Sequence, residues 1–125
     1  MDNGLVDKQH IKPPQMKQFL ILFREPDGRT DKHTPEEIQM HRKHWTDWMA
    51  NLTEQNILLG GKPLTLQGSV IRDGIITNGL YTKQDAEIVG GYLLLQCESL
   101  ASATKIMETC PIYEFDGFAE VRECM

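Results

Sequence analysis

Between Ile88 and Cys97 the chain reads IVGGYLLLQC, a stretch with no polar face until its last residues. Side chains along a strand alternate with period two, so Ile88, Gly90, Tyr92 and Leu94 are expected on one side, with Val89, Gly91, Leu93 and Leu95 on the other. A strand that is apolar on both sides has to be covered on both. Met16 to Phe23 repeats the pattern, with Phe19, Ile21 and Phe23 opposite Leu20 and Leu22. Two such strands belong at the centre of a sheet, and their covering constrains every other element.

Two helices are available for that covering. The first opens at Thr34, where Thr34, Pro35 and Glu37 spell an N-cap, a first-turn proline and a capping box. Ile38, Trp45, Met49 and Leu52 then recur at helical spacing, with Trp48 at the edge of the stripe, and the helix is expected to end near Gln55-Asn56. The second starts after Ser99, turns Ala103, Ile106 and Met107 inward, runs to about Thr109 and stops before Pro111. Ile57 to Leu59 reads as a short strand entering Gly60-Gly61. Lys62 to Gln67 reads as a connector, and Ser69 to Thr77 as a hairpin turning at Asp73-Gly74, with Ile71 opposite Ile76 and Val70 opposite Thr77. Gly90-Gly91 in mid-strand signals a bulge or a close approach of chains. Gly117 to Arg122 is a final edge strand.

The resulting order is an α+β, ferredoxin-like βαββαβ plan with an added hairpin, in one domain over residues 16–125 preceded by a polar arm over residues 1–15. Right-handed crossovers put both helices on one face. The other face then needs a cover, and a second copy of the same sheet is the economical one, which makes a homodimer the expectation, with the arm over residues 1–15 as the alternative cover.

Composition narrows the function classes. The net charge of −5, with no long Lys/Arg cluster, argues against nucleic-acid backbone binding. No apolar run approaches the ~20 residues that span a bilayer, so no membrane role is expected. Cys97, Cys110 and Cys124 form no CxxC, and their odd number suits free thiols in a reducing compartment. With no apolar h-region at the start of the chain, the expected location is the cytoplasm.

Taken together, FLILF, TPEE, NILLGGKPL, IRDGIITNGLYTKQDAEIVGGYLLLQ and SLASATKIMETCPIYEFDGFAEVRE resemble the YCII-related proteins, in the branch named for a DGPF motif. The resemblance implies a ferredoxin-like fold and a dimeric α+β barrel. Asn78-Gly79-Leu80-Tyr81 stands where that branch carries Asp-Gly-Pro-Phe, which keeps the glycine turn and the aromatic and loses the carboxylate. A His-Asp pair is the proposed active centre in smaller members. By the resemblance, His44 matches the histidine, and the Asp-Pro pair falls on Cys110-Pro111, which would leave the dyad without its acid. The resemblance also implies small-molecule chemistry such as lactone or dehalogenation reactions, and for the DGPF branch an association with extracytoplasmic-function sigma factors.

The chemical candidates follow. His44, at the border of the apolar stripe of the first helix, can act as acid or base near neutral pH or remain a half-exposed surface histidine. His41 falls inside the stripe, where a buried, hydrogen-bonded histidine is expected. His41, His44 and Asp47 lack His-x-x-x-His spacing, so no metal is expected. Arg24 and Tyr92 can position a ligand, Trp48 can line its cleft, and Cys110 at a helix C-terminus reads as a structural thiol beside it. The expectation is a small metabolite held in a helix–sheet cleft, without cofactor, with His44 moving a proton and Arg24, His41, Trp48, Tyr92 and Cys110 around it. The alternative is a non-catalytic dimeric binding or regulatory module linked to a sigma factor.

Overall fold

A computed structural model describes residues 15–26, 32–82 and 87–125. The arm expected over residues 1–15 and the turn expected at Pro26 to Arg29 fall almost wholly outside these residues. In chain order the elements are β1 (Lys17–Pro26), α1 (Pro35–Glu54), β2 (Leu58–Pro63), β3 (Ser69–Arg72), β4 (Ile75–Asn78), β5 (Glu87–Cys97), α2 (Leu100–Met107), a 3-10 turn (Pro111–Phe115) and β6 (Phe118–Glu123).

The main sheet has the order β2-β5-β1-β6, so the two strands that lack a polar face are its central pair. They run antiparallel, with Phe19 opposite Leu95 and Ile21 opposite Leu93. Phe19, Ile21 and Leu95 are completely buried, and Ala103 and Met107 of α2 and Leu52 of α1 close over them. The opposite face carries Leu20, Leu22, Tyr92 and Leu94, all half-buried within the single chain. Together the elements form the ferredoxin-like arrangement with a separate β3-β4 hairpin.

Local chemistry accounts for the ends of the elements. Thr34 Oγ1 accepts from Glu37 N–H at 3.1 Å and Thr34 N–H donates to Glu37 Oε1 at 2.8 Å, which completes the capping box of α1. Asp73 and Gly74 both take positive φ, as a type I′ turn requires, and the hairpin has the expected register.

Three expectations need correction. β2 does not stop at Leu59. It passes through Gly60-Gly61 to Pro63, because Gly61 lies so close to β5 that a Cβ would stand 2.4 Å from the Tyr92 carbonyl oxygen. The alternation of β5 also breaks at Gly90. There the pairing shifts between Phe23 and Arg24, so Ile88 joins the buried set of Leu93 and Leu95, and Val89 moves to the open face. Finally, α2 ends at Met107, short of Thr109, and Pro111 begins a 3-10 turn.

Replacing Ile21 by Ala is expected to cost about 2–5 kcal/mol in urea unfolding, by lost transfer energy and a residual cavity. Met40→Ala, at an exposed position of α1, should stay within about 0.5 kcal/mol.

Candidate functional site

The 3-10 turn after α2 is held rigidly. Pro111 and Ile112 are buried, and Tyr113 Oη donates to the Met107 carbonyl at 2.8 Å. Asp116 closes the turn in the left-handed region at φ 63°, and Gly117 N–H returns to the Ile112 carbonyl at 3.1 Å. A Cβ on Gly117 would stand 2.7 Å from the Ile112 side chain, so only glycine fits this return. The turn therefore presents Glu114 and Phe115 to α1 from a fixed base.

On α1, His41 and His44 lie about one turn apart, and both meet the same carboxylate. His41 Nδ1 lies 2.8 Å from Glu114 Oε1, and His44 Nδ1 lies 2.8 Å from Glu114 Oε2. Trp45 Nε1 donates to His41 Nε2 at 3.0 Å. A carboxylate only accepts and an indole N–H only donates, so these partners assign His41 as the neutral tautomer with its hydrogen on Nδ1. His44 likewise donates from Nδ1, and its Nε2 is left as the acceptor on a side chain that is 46% exposed. Phe115 stacks between His41, at 4.0 Å, and His33, at 3.6 Å, which fixes the approach of the turn.

Two carboxyl groups near this cluster have opposite environments. The hydrogen bond from His41, with a second from His44, holds Glu114 below the usual carboxylate range. Glu25, at the end of β1, is pushed up by desolvation. The carboxyl group of Glu25 lies against Gly90, where a Cβ would be 2.3 Å from its Cδ. Gly90 thus makes room for this side chain as well as for the bulge in β5. Edge-to-face contact between Phe23 and Trp45, at 5.1 Å, ties the same end of β1 to α1.

The expected site residues do not all converge here. His41 and His44 do. Trp48 packs on Trp45 and donates from Nε1 to Thr109 Oγ1 at 3.1 Å. Cys110 is buried, and desolvation pushes its thiol up to about 12, which leaves it protonated and unreactive at neutral pH. Arg24 and Tyr92 stand on the opposite face of the sheet, where Arg24 Nε bonds Glu120 Oε1 at 3.1 Å. Asp47 pairs with Lys43 at 2.8 Å. Among the described residues no group of His, Cys, Asp and Glu is arranged to hold a metal, and no helix is long and apolar enough to cross a membrane.

Compared with known families, residues 18–124 match the YCII-related domain. The chain belongs to the YCII-related family. No curated protein matches it. In this YCII-related chain a carboxylate partner for His44 is present, but it comes from Glu114 in the 3-10 turn rather than from position 110. The sequence carried one usable signal for it: Pro111 four residues before a phenylalanine and six before a glycine, a short turn able to aim Glu114 back at α1.

The two carboxyl groups should act oppositely on stability as pH changes. A depressed pKa gives Glu114 a stabilising contribution that is present above the unfolded carboxylate pKa and is lost as pH falls through its folded value. The raised pKa of Glu25 works the other way, with its contribution present below the unfolded pKa and lost as pH rises through the folded one. Urea melts across pH 3–7 (about the carboxylate range) should therefore show Glu114→Gln flattening the loss of stability on acidification. Glu25→Gln should gain stability relative to wild type as pH rises.

Proposed function

We propose that this YCII-related protein binds a small metabolite where α1, the 3-10 turn and the end of β1 meet, and that His44 transfers a proton to or from it without a cofactor. The observation that carries this reading is the Glu114 carboxylate bonded to His44 Nδ1 at 2.8 Å while Nε2 stays available on an exposed ring. A carboxylate behind an imidazole fixes its tautomer and stabilises the cation formed when Nε2 takes a proton. Trp45 occupies the matching nitrogen of His41, so a proton arriving at the cluster goes to His44. Glu25, which holds its proton more readily than an ordinary carboxyl, is suited to donate one to a developing oxyanion. That division of labour suits proton abstraction beside a carbonyl, or opening of a lactone.

The protein works as a homodimer in the cytoplasm, in this reading, with the half-buried leucines of the open sheet face covered by a second copy. Asn78-Gly79-Leu80-Tyr81, which keeps the glycine and the aromatic of the DGPF motif, supports membership of that branch. A purely non-catalytic module, with or without a sigma-factor partner, is the second reading. It rests on the missing acid at Cys110 and on the altered tetrapeptide, and Glu114 weighs against the first of these by supplying a carboxylate from elsewhere.

A panel of small lactones and enolisable ketones, followed by NMR for hydrolysis and for deuterium uptake beside the carbonyl, tests the proposal. His44→Ala should lower turnover by about 10²–10⁴-fold while light scattering still reports a dimer. Turnover that survives the substitution would sink the catalytic assignment, and a well-folded monomer at micromolar concentration would sink the dimer.

A further inference from the structure

The far face of the sheet holds a second feature that the His44–Glu114 cluster does not use. A cavity of about 680 Å³ opens between the ends of β1, β5 and β6 and the segment after the hairpin. Its walls combine Leu80, Ile88, Val89, Phe118 and the Tyr81 ring with the Arg24 guanidinium and the carboxylates of Glu87 and Glu120. A volume in this range, apolar walls and a few convergent polar groups are what a small-molecule site requires.

The backbone explains why Arg24 is there. The bulge that shifts the pairing between Phe23 and Arg24 sets Val89 opposite Arg24, so an apolar wall and a cation share one face. Phe118 pairs with Arg24 on the other side. Among the described residues, the one bond of the guanidinium is from Nε to Glu120 Oε1. Its two terminal nitrogens are left as a donor fork. Glu120 in turn divides its charge, since Arg122 Nη1 lies 3.6 Å from its other oxygen. Arg24 is thus anchored by a carboxylate that does not neutralise it alone. Glu87 on the cavity wall adds a negative charge that disfavours a dianion.

We propose that this cavity is a second ligand site, for a small monocarboxylate with an apolar body, its carboxylate on the Arg24 fork and its body against Leu80, Val89 and Phe118. Planar guanidinium and carboxylate groups match in two-pronged geometry, and the apolar walls supply the burial. The site stands apart from the proton-transfer cluster, at the end of the sheet face that the proposed second copy would cover, and does not depend on that cluster.

Benzoate is the probe, with neutral benzamide and dianionic phthalate as controls, titrated into the intact protein and followed by NMR. Saturable shifts are expected at the Arg24 Nε–H, the Val89 methyls and the Phe118 ring, with benzamide and phthalate binding more weakly. Arg24→Gln should weaken benzoate by about tenfold or more, the loss of a charged hydrogen-bonding group. Glu120→Gln should tighten it, because the guanidinium then faces no competing carboxylate, and this variant keeps the test decisive if Arg24→Gln misfolds. Overturning results are no saturable shift, shifts confined to His44 and Glu114, benzamide binding as well as benzoate, or weaker binding in Glu120→Gln. None of these bears on turnover at His44.

Discussion

Antiparallel pairing of β1 with β5 is the constraint on which everything else rests. Each strand is apolar on both faces, so the pair is stable only inside a sheet with material above and below it. On one face that material is α1 and α2, which drive Leu52, Ala103 and Met107 onto Phe19, Ile21 and Leu95. Placing both helices there puts the C-terminal end of α2 beside the middle of α1. The short, proline-started turn that follows α2 is then in position to reach the α1 histidines. The meeting of Glu114 with the α1 histidines is thus a consequence of how the central pair is covered.

The same pair is interrupted once, at Gly90, and the interruption serves both faces. On the helix side the missing Cβ lets the Glu25 carboxyl group lie against the strand, where desolvation raises its pKa. On the open side the shifted pairing brings Val89 level with Arg24. A bulge re-aims side chains at the cost of one unpaired residue, and here it makes room for Glu25 on one surface and sets an apolar neighbour beside Arg24 on the other, while the two charged residues alternate along β1 as any strand neighbours do. Glu114 adds a third environment, a carboxylate kept ionised by two imidazole N–H donors. Within the helix-side cluster the two carboxyl groups are driven in opposite directions, Glu25 up by desolvation and Glu114 down by its histidine partners.

How far the sequence made this legible depends on the range of the interactions. The capping box at Thr34, the Asp73-Gly74 turn with its register and the central place of the two apolar strands are set by residues within a few positions of each other, or by period-two patterning, and they can be read directly. His44 could be singled out because its place on the helix stripe is local. Its carboxylate could not, because Glu114 lies 70 residues away along the chain and the turn that aims it carries no periodicity. Position 110 looked like the place of the acid only by resemblance, and the fold buries it. The face assignments of Ile88 and Val89 failed for a related reason: two adjacent glycines announce a bulge without saying on which side of it the alternation resets. Arg24 and Tyr92 could be named as polar groups on strands, but only the pairing shows that they face away from His44.

The claim that bears most weight is that Glu114 holds His44 through Nδ1, so that Nε2 is the atom that trades protons. Long-range proton–nitrogen NMR of the histidine rings, recorded where they are neutral, reads the tautomer directly. The account predicts that His41 and His44 both carry their hydrogen on Nδ1, with His44 losing that preference in Glu114→Ala. A His44 ring that carries its hydrogen on Nε2 in the unaltered protein would contradict it.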